Sequence, residues 1–223
     1  MIKEKLVRGT FFYQIYLYYN IFIRYKFLKR SRKTFSQFGE DIFITNFFEK
    51  NFIGQYVDLG AYHPMKLSNT YLLYKKGWTG SNVDLNPVSI DLFNIARKKD
   101  RNICCLISSE SNVKKNAYIQ NNWSAENFTD EDNKSLEAKN EKRKMLTKTF
   151  EEVINHNFDF LNIDLEEHDY EVLKTINLNK YTPKLICIEI LKKSKNKKKI
   201  FEYMKKYNFK FIKNCNISYF FKR

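Results

Sequence analysis

The sequence predicts an α/β fold, in which a mostly parallel seven-stranded sheet carries helices on both faces. The first observation is that short apolar runs alternate with helix-like segments along most of the chain. The second is that these runs end at polar residues beside turn-forming ones. The third is that the last two runs follow each other directly, which indicates a C-terminal antiparallel hairpin.

Five apolar runs are predicted to be parallel strands. They lie at 55–59, 79–85, 102–108, 158–164 and 183–190, and the hairpin at 209–214 and 217–223. Helices are predicted between them, at 34–50, 68–77, 86–100, 149–156, 169–180 and 197–207. The helix at 86–100 carries a proline in its first turn and basic residues in its last.

Residues 116–120 are predicted to be a short edge strand. The polar, highly charged segment that follows, 121–147, has no apolar period and is predicted to be a loop. Such a loop is either a lid that contacts the substrate or a solvated connection with no role.

The net charge of +15 invites a nucleic-acid function. Residues 1–33 carry nine Lys or Arg and one Glu, so about half of the excess lies in one segment. Heavy use of Lys, Asn, Ile, Phe and Tyr is also typical of a low-GC genome, so no nucleic-acid partner is expected. Four cysteines without a C-x-x-C pair favour reduced thiols and a cytoplasmic protein.

Residues 1–33 are predicted to be a helical extension of a domain that spans 34–223. The apolar run Phe11–Ile23 is shorter than the ~20 residues that a membrane span needs. Its aromatic residues and the basic cluster after it fit peripheral contact of residues 8–33 with an anionic membrane. The alternative is an aromatic stripe that packs on the domain or on a second copy in a homo-oligomer.

The stretch YVDLGA contains an aspartate and a glycine at the end of the first strand. Gly60 lets the backbone approach a ligand, and Asp84 ends the second strand about 20 residues later, where an acid accepts hydrogen bonds from ribose hydroxyls. This pairing serves a dinucleotide or S-adenosylmethionine. The glycines that cradle a pyrophosphate are missing from GAYHPM, which disfavours the dinucleotide.

Three ordered motifs resemble the FkbM-type methyltransferases. They are SQFGED at 36–41, the long stretch from Tyr56 to Pro87, and FDFLNIDLEEHDYEVL at 158–173. The resemblance implies a Rossmann-like class I methyltransferase fold, S-adenosylmethionine as cofactor, and O-methylation of a small-molecule or glycan hydroxyl. By position it implies a cofactor site formed by Gln37, Asp58, Gly60, Ala61, Asn69, Asp84 and Ser108, with Glu40 and residues 68–70 at its border.

The chain departs from the family pattern after the fourth strand. The family has Asp-x-Glu-Gly there, whereas this chain has Asp164-Leu165-Glu166-Glu167. A residue with a side chain must therefore make the turn that glycine makes in the family.

Methylation of an alcohol is helped by a base within hydrogen-bond reach. Asp164 is the first candidate because it ends the fourth strand, and His63 is the second because imidazole titrates near neutral pH. Glu166 and Glu189 are further options, and no metal site is expected. Each residue also has a structural alternative: Asp164 as a helix cap, His63 as a loop contact and Glu189 as a partner of a lysine.

Two other functions stay open at the level of sequence. One is an RNA methyltransferase, which the acidic loop after the fourth strand disfavours because it repels phosphates. The other is a non-catalytic membrane-surface module on the same fold.

Overall fold

A computed structural model of the chain describes residues 7–29, 31–120, 127–129, 140–166 and 168–223. Its α-helices are α1 Phe11–Tyr18, α2 Glu40–Phe47, α3 Tyr71–Lys75, α4 Pro87–Ala96, α5 Phe150–Val153, α6 Asp169–Leu173 and α7 Lys197–Lys206. A π-helix, Tyr19–Phe27, continues α1 without a break.

The strands fall into two sheets. They are β1 Gln55–Leu59, β2 Thr79–Asp84, β3 Arg101–Cys104, β4 Leu106–Ile107, β5 Lys114–Gln120, β6 Asn127–Thr129, β7 Asn140–Lys148, β8 Phe160–Ile163, β9 Leu185–Glu189, β10 Lys210–Cys215 and β11 Ser218–Lys222. The main sheet has seven strands in the order β10-β11-β9-β8-β1-β2-β3.

The main sheet confirms the predicted fold class. Strand β11 is antiparallel to both of its neighbours, and the other strand pairs of this sheet are parallel within the described residues. The chain runs outwards from β1 to β3 and later returns on the other side as β8 and β9. The strand order therefore reverses between β1 and β8, which is where doubly wound sheets bind ligands.

The prediction of a loop over 121–147 is wrong for the residues that the structure describes there. Residues Asn127–Thr129 and Asn140–Lys148 are strands of a second, four-stranded sheet in the order β4-β7-β5-β6. Strand β7 is held by main-chain hydrogen bonds to β5, and its residues 142–144 are exposed. Because these side chains are not buried, the sequence shows no alternation of apolar residues there. The remaining residues of that prediction lie outside the described residues.

The third predicted strand, 102–108, is divided between the two sheets. Strand β3 pairs with β2 in the main sheet, and β4 pairs with β7 in the second one. Between them Cys105 donates its backbone N–H to Asp84 O at 3.0 Å. The chain thus leaves the main sheet before it reaches Ser108.

The N-terminal helices are attached to the side of the domain. Tyr13, Leu17, Ile21 and Tyr25 are buried in a cluster with residues of α3 and α4. These four residues recur every four positions, which is slightly more than the 3.6 residues of an α-helical turn. A purely α-helical segment would therefore rotate them gradually away from the domain. The i→i+5 bonds of the π-helix make its turn longer, and this keeps the buried residues on the side that faces the domain. Within the described ranges, no helix is both long and apolar enough to span a bilayer.

Candidate active site

A cleft opens at the carboxyl ends of the central strands of the main sheet. Residues from the ends of β1, β2, β8 and β9 line it, together with the segment before α2, the loop before α3 and the start of β11. Of the residues predicted for the site, it brings together Gln37, Asp58, Gly60, Ala61, Asn69, Asp84, Asp164 and Glu166. Glu40, Ser68 and Glu189 also line it, whereas His63 and Ser108 do not.

Asp58 lies at the floor of the cleft in a hydrogen-bonded network. Its carboxylate accepts bonds from Thr70 Oγ1 at 2.7 Å and from Asn162 Nδ2 at 2.8 Å. Asn69 donates its amide to Asn162 Oδ1 at 3.0 Å. Burial raises the pKa of Asp58, and the bonds from Thr70 and Asn162 oppose that increase by stabilising the ionised form.

Arg97 holds the loop that carries Asn69 and Thr70. Its fully buried guanidinium donates to Pro64 O at 2.6 Å, to Ser68 Oγ at 2.7 Å and to Thr70 Oγ1 at 2.7 Å. The sequence predicted a helix over 86–100 with basic residues in its last turn. Helix α4 instead ends at Ala96, and Arg97 turns inwards under the cleft.

Asp84 ends β2 with both carboxylate oxygens facing backbone donors. It accepts the N–H of Tyr62 at 2.8 Å and the N–H of Asn86 at 2.7 Å. These bonds fix the turns that follow β1 and β2. The carboxylate is 3% exposed and forms part of the cleft wall.

Gly60 makes a left-handed turn directly after β1. Its φ is +74°, and a Cβ at this position would lie 1.7 Å from the main-chain oxygen of Asp164. The close contact that requires glycine is therefore with the main chain that follows β8. The sequence analysis had instead explained this glycine by an approach of the backbone to the ligand.

The other end of the cleft is rich in carboxyl groups. Asp164, Glu166 and Glu189 line it, and Glu40 binds Ser218 Oγ through Oε1 at 3.1 Å. Burial raises the pKa of Asp164 well above its ordinary value, and repulsion from Glu189 and neighbouring carboxylates adds to the increase. Burial also raises the pKa of Asp169 to about 7, although the backbone N–H of Leu165 opposes it.

The turn after β8 contains a residue with a side chain in a left-handed conformation. Glu166 has a φ of +50°, in the left-handed region that favours glycine. Glu167, which occupies the place of the family's glycine, lies outside the described residues.

His63 lies behind the cleft and supports a loop. Its Nδ1 accepts the backbone N–H groups of Met65 and Lys66, both at 3.0 Å, and its ring contacts Tyr25 at a centroid distance of 4.6 Å. Burial lowers the pKa of His63 to about 3, and the charges of Lys66 and Arg97 lower it further. The structure thus gives this imidazole a neutral, supporting position.

Ser108 lies beyond β4, on the chain segment that has joined the second sheet. Its backbone N–H donates to Lys148 O at 2.9 Å. The corresponding wall of the cleft is apolar and comes from Val83, Leu85, Cys105, Leu106 and Ile107.

The cleft and support residues that the sequence analysis missed include Asn162, Arg97, Ser218 and His168. Asn162 interrupts the apolar run FLNID, and a polar residue inside a buried strand is a usable signal. His168 is half-buried and lines the cleft. Nothing in the sequence marks Arg97 or Ser218.

A seven-stranded sheet with one antiparallel strand and a cleft at its switch point is the architecture of a Rossmann-like class I methyltransferase. The model of the methyltransferase FkbM domain matches residues 58–211. The chain therefore belongs to the FkbM methyltransferase family, and S-adenosylmethionine is the cofactor of its reaction.

Solved structures show similarity at the level of the fold. The FkbM methyltransferase of Methylobacillus flagellatus is 9% identical with a TM-score of 0.52, and the match covers 77% of this chain and 44% of that one. This chain thus spans less than half the length of that relative. A TehB-like methyltransferase from Corynebacterium glutamicum is 10% identical with a TM-score of 0.49, over 92% of this chain and 96% of that one. The chain has no match among curated proteins.

Proposed function

We propose that the chain O-methylates a hydroxyl group of a sugar or glycan, with Asp164 as the general base. The observation that carries the proposal is the position of Asp164, a carboxyl of raised pKa at the end of β8 inside the cleft. We place the reaction in residues 34–223, with residues 1–33 as an extension.

The residues of the cleft fit the cofactor. Asp84 has the position of a ribose acceptor at the end of β2, and the apolar wall formed by Leu85, Cys105, Leu106 and Ile107 suits a flat base. Asp58 and its network would hold the polar methionine end. The bound cofactor supplies a methyl group on a sulfonium, which is a good electrophile without further activation.

The protein's part in the reaction is alignment and removal of a proton. Asp164 would take the proton of the acceptor's hydroxyl group, and the cleft would hold that hydroxyl oxygen against the methyl group that a bound cofactor would supply. Holding the oxygen in line supplies much of the rate, and a base adds about 10²–10⁴-fold. Asp164 must be ionised to act, and a nearby positive charge on the ligand lowers its pKa.

The acidic end of the cleft supports a neutral, hydroxyl-rich acceptor. Glu40, Glu166 and Glu189 offer oxygens that accept hydrogen bonds from several hydroxyls, as a sugar requires. The same carboxylates would repel a phosphate backbone, which weighs against RNA as the acceptor.

The test compares two variants by calorimetry and by turnover. Asp84→Asn should weaken binding of S-adenosylhomocysteine, because one of its oxygens becomes an amide donor. Asp164→Asn should leave that affinity within about threefold and lower turnover on a glycan acceptor by about 10²-fold or more. NAD serves as the negative ligand. Equal loss of binding and turnover in both variants would reject the assigned roles.

A further inference from the structure

The N-terminal helices present a continuous apolar surface to solvent, here called the aromatic face. It comprises Phe11, Phe12, Ile15, Tyr18, Tyr19, Phe22, Ile23, Phe27 and Leu28, all of them exposed. Phe11 is 74% exposed, Phe12 69% and Leu28 64%. An apolar surface of this extent on a soluble domain indicates a binding surface.

The aromatic face has a fixed position on the domain. The opposite side of the same helices is buried through Tyr13, Leu17, Ile21 and Tyr25. Arg8 and Tyr13 both bind the carboxylate of Asp91 on α4, at 2.6 Å and 2.5 Å. The other side of these helices is already packed against the domain. The exposed side chains of the aromatic face are therefore not the surface through which the helices attach to it.

Most of the basic residues of this segment lie at the C-terminal end of the aromatic face. Residues 7–33 contain seven Lys or Arg and no Asp or Glu. Lys26 Nζ lies 4.7 Å above the ring of Phe22, and Lys29 Nζ lies 4.6 Å above the ring of Tyr25. Exposed aromatic groups beside cations are the chemistry that binds the interface of an anionic bilayer.

We propose that the aromatic face docks this protein onto an anionic lipid membrane. The charge argues against a second copy of the chain as the occupant, because two such faces would bring together two basic segments with no acidic residue between them. An acidic bilayer supplies both an apolar layer for the rings and phosphates for the cations.

The helices that carry the aromatic face come close to one rim of the cleft through their inner side. The ring of Tyr25 contacts His63, and the loop that follows carries Leu67, which is 45% exposed and lines the cleft. An acceptor held at the membrane surface would thus meet the cleft at this rim. The docking proposal is independent of the proposed methyl transfer, because it is tested by vesicle binding and does not require turnover.

The test is co-sedimentation of the full chain with lipid vesicles. Binding is expected to vesicles of phosphatidylcholine mixed with phosphatidylglycerol, to weaken as salt rises, and to be absent with phosphatidylcholine alone. The variant Arg24→Gln/Lys26→Gln/Arg32→Gln should lose about fivefold in partitioning for each charge removed. Phe12→Ser/Phe22→Ser/Phe27→Ser should lose about tenfold or more.

Matched controls come from the opposite edge of the sheet. Lys198→Gln/Lys205→Gln/Lys210→Gln removes the same charge from exposed positions, and Phe211→Ser removes a ring that is 43% exposed. Both should bind vesicles as the wild type does, and all variants should keep their circular dichroism and S-adenosylhomocysteine binding.

Three results would overturn the proposal. The first is that the wild-type protein does not bind anionic vesicles. The second is that the control variants lose as much vesicle binding as the aromatic and basic variants do. The third is that the wild-type protein forms a dimer and does not bind vesicles, and that the aromatic variant is monomeric. The last result would assign the aromatic face to self-association.

Discussion

Asn162 donates its side-chain amide to Asp58 Oδ1 at 2.8 Å, directly across the two central strands of the sheet. The oxygen of the same amide accepts a bond from Asn69. One side chain therefore joins β8, β1 and the loop before α3 at the point where the strand order reverses. The position of the Asp58 carboxylate depends on this amide as much as on its own strand.

Asn162→Ala is expected to lower the affinity for S-adenosylhomocysteine by about tenfold or more. It removes a hydrogen bond to a carboxylate, which is worth roughly 1.5–3 kcal/mol, and it frees Asn69. Calorimetric titration measures the change. Asn179→Ala, at an exposed turn, is the matched control and should bind as the wild type does. Equal affinity in the two variants would contradict the role given to Asn162.

Gly60→Ala is expected to be far more damaging than Gly39→Ala. Both glycines have positive φ, +74° and +83°, so an alanine at either pays about 1–2 kcal/mol of backbone strain. A Cβ on Gly39 meets nothing within 4 Å, whereas one on Gly60 meets Asp164 O at 1.7 Å.

Urea unfolding should show a small loss of stability for Gly39→Ala. Gly60→Ala should yield either no folded protein or a loss several times larger. Similar losses would mean that strain alone, without the contact between the strands, explains the glycine at position 60.

Asp164→Asn is expected to stabilise the ligand-free protein, increasingly so as the pH rises. The pKa of Asp164 is raised on folding from an ordinary value of 3.8. Between the unfolded and folded pKa values the folded state binds the additional proton, so wild-type stability falls with rising pH. The amide cannot ionise and avoids this loss.

The measurement is the free energy of unfolding of both proteins from pH 4 upwards. Their difference should be small near pH 4, because both side chains are then neutral in the folded state, and should grow above it. Glu202→Gln, at an exposed carboxyl of α7, controls for loss of charge. Parallel curves for Asp164→Asn and wild type would contradict the raised pKa.

His63→Asn is expected to keep most of the turnover, and His63→Ala to lose stability. The asparagine oxygen can accept the N–H bonds that Nδ1 accepts from Met65 and Lys66, whereas alanine leaves both donors unpaired. With a pKa of about 3, His63 stays neutral and should add no titration to the pH–rate profile near pH 6–7.

Turnover of His63→Asn within about threefold of the wild type would support this structural role. A loss of 10²-fold or more in both variants, with folding intact, would instead identify His63 as a base.

Much of the architecture could be predicted because the central strands of the main sheet are buried on both faces. Strands β1, β8 and β9 are mostly apolar and almost fully buried, and this burial produces the pattern that the sequence shows. Strand β7 has no such pattern. It is held by main-chain hydrogen bonds to β5 and β4. Because every residue except proline can make such bonds, they do not select particular residue types, and the strand cannot be recognised in the sequence.

The candidate site divides in the same way. Asp58, Asp84 and Asp164 were predicted to lie together because parallel strands bring their carboxyl ends to one edge. Arg97 was not, because an arginine at the end of a helix is usually exposed, and its burial depends on the oxygen atoms that residues 64–70 present to it. Ser108 was predicted from its position in the sequence and His63 from the ordinary pKa of imidazole, and neither records which way a loop turns.

The attachment of α1 to α4 also has a consequence for synthesis. Residues 11–25 are made before residues 87–96, yet they bury their side chains against that later segment. Until the later segment has emerged from the ribosome, both sides of the N-terminal helix expose apolar side chains. The finished domain covers one of these sides, and the other, the aromatic face, stays exposed. A translating chain of this kind is a natural client for chaperones that bind aromatic and basic segments.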